Sequence, residues 1–305
     1  MKFFIMKKLK TKIRKILFSV LYYSGIPFVI REIYQRKKVT ILSFHDFSNE
    51  SVDSIFSFYK KNYNVISLKS YVDFLNGSKH KLKELPNKCL ILTVDDGLKN
   101  NFNFFEEALN RKMELTIFLT SGIIGTKKGF WWNHNQSNYS NEYLKRVKDI
   151  ERLRILKENG FVENKSMNKR ESLTFSEIAL MSKIVDFQSH SITHPILPMC
   201  SDKKAHLEIN KSKMDLEKIL DSEIYAFAFP NGDYSKRDID LVREAGYKCS
   251  LNTVPGYNTN KSDIFRLKRI AGGLGSDLHE TIVKSSGLWF LLQKLFWKEY
   301  HQIHD

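Results

Sequence analysis

Cys89-Leu90-Ile91-Leu92-Thr93-Val94-Asp95-Asp96-Gly97 is the stretch on which the fold turns. Leu90 to Val94 are apolar or β-branched, the pattern of a buried strand. The run ends in two adjacent carboxylates and a glycine. Two anions beside a hydrophobic strand are costly unless a metal, hydrogen bonds or a shared proton offsets their burial. Gly97 permits a sharp turn that lets both carboxylates face one site at the strand's C-terminal end. A surface Asp-Asp-Gly turn is the competing reading of these residues alone.

A second stretch has the same design. Val185-Asp186-Phe187-Gln188-Ser189-His190-Ser191-Ile192-Thr193-His194-Pro195 leads from a short apolar strand into two histidines four residues apart. Pro195 disfavours α geometry at His194, which predicts a loop after the strand and not one face of a helix. Two histidines and a carboxylate at strand ends form a credible metal site that leaves positions open for water.

Strand and helix signals alternate around these stretches. Residues 38–44 read as a first strand ending at His45, and Ser51 to Tyr59 as a helix. A short strand over Tyr63 to Ser67 and a helix over Ser70 to Leu75 come next. Leu98 to Asn110 reads as a helix with Phe102, Phe105 and Leu109 on one face, and Leu115 to Thr120 as a strand. Thr174-Phe175-Ser176-Glu177 is a capping box. Residues 202–220 form an amphipathic helix, Tyr225 to Phe229 a strand, Ser235 to Ala245 a helix and Lys248 to Leu251 a strand. The alternation predicts an α/β fold with parallel strands. Residues 121–172 interrupt it with Phe130-Trp131-Trp132 and a charged helix over Ser140 to Leu156. An insertion of this length is a candidate lid or substrate wall. Its tryptophans suit either stacking on a sugar ring or anchoring to the core.

Together these stretches resemble the polysaccharide deacetylases of the NodB-homology type, the carbohydrate esterases of family four. Val94-Asp95-Asp96-Gly97 is similar to the first motif of that family and Ser189 to Pro195 to its second. Phe227-Ala228-Phe229-Pro230-Asn231-Gly232 resembles its third motif, and Val39 to His45 the opening strand of some members. The resemblance covers roughly residues 38–275. It implies a distorted, incomplete (β/α) barrel with the site at the C-terminal strand ends. It further implies that Asp96, His190 and His194 hold a divalent metal, zinc by family habit. Asp95 would be the general base, and the backbone N–H of Asn231 would help to stabilise the oxyanion. The sequence departs from the family in two places. Ala228 stands where the third motif carries an arginine that orients the base, and Arg269 is the candidate replacement. The late Leu-x-His motif is only echoed by Leu278-His279. Circularly permuted members take their acid histidine from the first strand, a position that His45 matches, so His45 is the expected acid and His279 the alternative.

The 305 residues carry a formal net charge of +15, with 42% hydrophobic and 13% aromatic residues. This excludes a disordered chain and favours anionic partners. No nucleic-acid motif accompanies the charge, and no nucleic-acid partner is expected. Cys89, Cys200 and Cys249 are too widely spaced for a disulfide framework or a thiolate zinc site. The chain divides into a basic amphipathic segment at 1–37, a deacetylase domain at 38–285 and an aromatic tail at 286–305. Ile16 to Ile30 is mostly apolar but shorter than the ~20 residues of a membrane span, and it has basic flanks. The two readings are a helix lying on an anionic membrane and a helix packed on the domain. The first places the protein peripherally on the cytoplasmic face; the alternative is the cell envelope, through an uncleaved N-terminal anchor. The tail from Gly287 to Lys298 would cap the barrel bottom, meet a membrane or pair a second subunit.

The functional expectation is metal-dependent removal of the acetyl group from an N-acetylated amino sugar in a glycan or lipid-linked saccharide. Two alternatives remain open: deformylation of a polyprenyl-phosphate-linked sugar, and an inactive glycan-binding protein.

Overall fold

The computed structural model describes residues 2–45, 49–77, 84–272 and 277–296. The strands are β1 (Val39–Phe44), β2 (Asn64–Val65), β3 (Cys89–Val94), β4 (Leu115–Leu119), β5 (Val185–Ser189), β6 (Ala226–Ala228), β7 (Cys249–Leu251) and β8 (Ile270–Ala271). They form one sheet in the order β7-β6-β5-β4-β3-β1-β8, and β2 adds to β3. Every strand pairing in it is parallel. Helices between the strands cover its outer face, which makes an incomplete (β/α) barrel. Leu267 to Ala271 crosses the seam. Leu267 bonds to Ser250 and Asn252 beside β7, and Ile270 then pairs with Leu42 of β1.

The two-residue period of a strand sorts the side chains. Leu42, Leu90, Leu92 and Val94 face outward and pack with Val52, Ile55, Ile178 and Ile209 of the surrounding helices. Val39, Ile41, Cys89, Ile91, Phe118, Ala226, Ala228 and Leu251 face inward. By the same alternation Thr93 and Asp95 follow Ile91 on the inner face of β3. Inside the barrel, Asp186 accepts hydrogen bonds from Tyr225 Oη and Gln188 Nε2, and Gln188 Oε1 accepts from the backbone N–H groups of Tyr225 and Ala226. These partners satisfy polar groups that would otherwise be costly to bury.

Several expectations change in detail. Leu98 to Asn110 is not one helix: a 3-10 turn over Lys99–Phe104 precedes an α-helix over Phe105–Arg111. Asn101 Nδ2 donates to His45 O, a job that holds the first turn off the regular helix. Phe102 and Phe105 meet at 5.9 Å, but Leu109 is exposed. The charged helix of the insertion breaks into Asn141–Leu144 and Asp149–Glu158, because Lys148 between them is extended (ψ 144). The barrel bottom is closed by the helix Leu68–Leu75, whose Leu68, Tyr71 and Val72 join the inner cluster. The tail helix Leu288–Phe296 instead packs through Leu288 and Trp289 with Phe18 of the N-terminal helix Lys2–Tyr23. The tail's Trp297 and Lys298 lie outside the described residues.

Candidate functional site

Asp95, Asp96, His45, His194 and Asn231 line a cavity of about 420 Å³ at the C-terminal ends of the strands. Asp95 is anchored first. Its backbone N–H donates to Phe44 O at 2.9 Å, which continues the β1–β3 ladder. Arg269 Nη1 donates to Asp95 Oδ1 at 2.7 Å and to Thr93 Oγ1 at 3.3 Å, and Arg269 Nε donates to Asn252 O at 2.9 Å. Arg269 is 1% exposed, so this pair is buried on both sides. Burial alone would raise the Asp95 carboxyl, but the charge and hydrogen bond of Arg269 outweigh it and hold Asp95 well below the usual carboxylate range.

Asp96 differs by one residue and by backbone. Its φ of 76 turns its carboxylate away from the strand alternation. Gly97 follows at φ 69, and a Cβ there would come within 2.7 Å of Leu119 Cδ2, so both conformation and space require glycine. Asp96 Oδ1 lies 3.4 Å from His194 Nε2 and 3.6 Å from His190 Nε2. One ligand atom from each of the three falls within 4.8 Å of the others, and all three residues are buried. His190 Nδ1 lies 2.7 Å from Ala228 O, the geometry of an N–H donor, which leaves Nε2 as the lone-pair nitrogen facing Asp96. Burial pushes the Asp96 carboxyl up and both imidazoles down. Asp96 Oδ1 and His194 Nδ1 have no hydrogen-bond partner among the described residues. An orphaned carboxylate oxygen facing two neutral imidazole nitrogens is a donor set that a divalent cation fits.

Strain concentrates here. Asp96, Ser191, His194 and Asn231 all have left-handed backbone, with φ of 76, 67, 57 and 56. Non-glycine residues so placed cost about 1–3 kcal/mol each and persist where the surroundings enforce them. For the histidine loop that enforcement comes from Glu208 on the helix Asp202–Leu220. Its carboxylate accepts from Ile192 N (2.8 Å), Thr193 N (2.9 Å) and Thr193 Oγ1 (2.6 Å). Asn231 sits in the turn Pro230–Gly232, where Thr253 Oγ1 donates to its carbonyl at 3.0 Å.

The insertion forms one wall. Trp131, Leu144, Ile155, Leu156 and Phe161 make a small core with Ile196, just past the histidine loop. Trp131 is buried and its Nε1 donates to His194 O at 3.2 Å, so it anchors. Trp132 is half-buried, with its ring 4.4 Å from that of His194, and it faces the cavity.

A family model described as polysaccharide deacetylase matches residues 82–250. The chain belongs to the polysaccharide deacetylase family. Members are hydrolases of N-acetyl amide bonds. Solved structures share the fold. The deacetylase PplD of Streptococcus pyogenes, in complex with acetate, is 17% identical with a TM-score of 0.59, over 82% of this chain and 99% of that one. IcaB from Ammonifex degensii is 14% identical with a TM-score of 0.60, over 83% and 98%. BC0361, a polysaccharide deacetylase from Bacillus cereus, is 20% identical with a TM-score of 0.57, over 82% and 69%. No curated protein matches the sequence.

In this polysaccharide deacetylase the matched segment holds Asp95, Asp96, His190, His194 and Asn231, while His45 and Arg269 lie outside it. The structure nevertheless brings His45 to the exposed mouth of the same cavity and Arg269 beneath its floor. His279 is a different matter. Its ring stacks on Tyr22 at 4.2 Å and its Nδ1 lies 3.0 Å from Ser19 Oγ, so it docks the N-terminal helix and is not brought to the cavity. Glu208 and Asn101 are positioning residues that the motifs did not reveal. Glu208 had a signal, since it is an acid in the buried stripe with Ala205, Ile209 and Ser212.

Proposed function

We propose that this chain is a metal-dependent N-deacetylase of an amino sugar. The observation that carries this reading is the buried Asp96, His190 and His194 cluster beside the Asp95–Arg269 pair on the floor of one cavity. Asp96, His190 and His194 would hold the ion, and zinc suits two imidazoles and one carboxylate. Such an ion supplies polarisation of the acyl carbonyl and a lowered water pKa, so that a weakly basic carboxylate suffices as base. Asp95, kept ionised by Arg269, takes the proton of the attacking water. The backbone N–H of Asn231, a residue that lines the cavity, would help to stabilise the oxyanion that develops. His45 gives a proton to the departing amine, and the products are a carboxylate and a free amino sugar. Acetate, the molecule bound to the streptococcal relative, is the acid this reaction would release. The open mouth beside Trp132 suits a sugar ring laid against an aromatic face.

The test joins metal content to acetate release. His190→Ala removes a ligand and is expected to lower both occupancy and turnover, while removal of metal from the parent protein abolishes acetate release and zinc restores it. Full occupancy by elemental analysis in His190→Ala would overturn the ligand assignment. Amide hydrolysis that continues in metal-free protein would overturn the reading as a whole.

The acid is tested separately. His45→Ala is expected to retain fold and metal and to lose amide hydrolysis by roughly 10²–10⁴. On an activated ester, whose leaving group needs little protonation, the loss should be far smaller. Equal losses on both substrates would reject the acid role. His279→Ala, which disturbs packing on Ser19, Tyr22 and Tyr23 away from the cavity, should leave the ratio of the two rates unchanged.

A further inference from the structure

The N-terminal segment is docked on one side and bare on the other. Phe18 is buried with Val283 and Leu288, Arg14 pairs with Glu280 at 2.5 Å, and Ser19 meets His279. At about 100° per residue, Ile13, Ile16, Leu17, Val20 and Tyr23 fall on an arc of about 120° roughly opposite Phe18. All five are exposed, Val20 at 62% and Tyr23 at 76%. Beyond Gly25 the chain bends by 54° and presents Phe28 and Ile33, also exposed. An exposed apolar face of this kind on a folded domain marks an interaction site.

The charges around it decide the occupant. Lys12 borders the arc, and Lys15, Arg36 and Lys37 are exposed near its two ends in sequence. Glu32 is the one acidic residue in the first 38, and Arg31 and Lys88 neutralise it. An apolar stripe with cations at its edge and near both ends is the pattern of a helix lying in the headgroup region of an anionic bilayer. A span fits less well. Among the described residues no single helix is long and apolar enough to cross a membrane, although the bent pair Lys12–Tyr23 and Ile26–Tyr34 passes together. The docked side of that pair carries the Arg14–Glu280 ion pair and is committed to the domain, so lipid cannot surround it. A second copy would bring the same cations against themselves across a two-fold axis.

We infer that residues 12–34 form a lipid-docking face that seats the folded protein peripherally on an anionic membrane. The test is flotation of the full chain with phosphatidylcholine vesicles, with and without phosphatidylglycerol. Flotation is expected with the anionic vesicles, with little on the neutral ones and partial release by salt. Ile16→Glu combined with Val20→Glu alters only exposed positions. It should lower vesicle partitioning roughly tenfold or more while the thermal unfolding midpoint and acetate release in solution stay as in the parent. Equal flotation with both vesicle types, or none with either, overturns the inference. So does parent-like flotation of the double variant. Resistance to carbonate extraction overturns it in favour of a span. Concentration-dependent dimers that the double variant abolishes, without any vesicle binding, overturn it in favour of a second copy.

Discussion

Asp95→Asn should keep its metal and lose turnover by roughly 10²–10⁴, the range for loss of a general base. The substitution preserves shape and leaves an oxygen to accept from Arg269, but an amide cannot take a proton at neutral pH. Asp96, His190 and His194 are untouched, so occupancy by elemental analysis should match the parent. The change also strips Arg269 of its counter-charge inside the protein, which lowers stability. Turnover must therefore be compared per folded, metal-loaded molecule, at a temperature well below the variant's unfolding midpoint. Parent-like turnover under those conditions would give Asp95 a purely structural role.

The positions at this site differ in how far the sequence revealed them. Asp95 was legible, because the two-residue period that puts Cys89, Ile91 and Thr93 inward also carries it to the inner face. The location of the histidine pair followed from a short apolar strand and a proline. The left-handed backbone at Asp96, Ser191, His194 and Asn231 was hidden, since tertiary contacts such as those of Glu208 enforce it and local propensity does not. The α/β alternation was plain from strands of five or six residues. The barrel seam was not, because β8 has two residues and no room for a period, and because the segment divides its hydrogen bonds between β7 and β1. His279 shows the opposite failure. A leucine and histidine near the end echoed a motif, but the helix carrying them turns that imidazole onto Tyr22. In the N-terminal segment the reading as a helix packed on the domain describes the Phe18 face alone, and the opposite face of that helix is exposed.

Substitution of Arg269 should carry a large cost to the fold. It and Asp95 are 174 residues apart in sequence, so chain order alone suggested the pairing. Both side chains are almost wholly excluded from solvent, at 0% and 3% exposure. Arg269→Ala removes a guanidinium that also donates to Asn252 O and Thr93 Oγ1, and it leaves a carboxylate buried without its cation. Breaking one side of a buried pair costs about 3–5 kcal/mol, which in a domain of this size lowers Tm by on the order of 10 °C. Because the penalty is an uncompensated charge, the double variant Arg269→Ala with Asp95→Asn should recover part of it, with a coupling of about 0.5–3 kcal/mol in the thermodynamic cycle. Additive losses would mean that Arg269 stabilises through packing across the seam and not through Asp95. An Arg269→Ala protein that melts with the parent would remove the ion pair from any account of how the base is held.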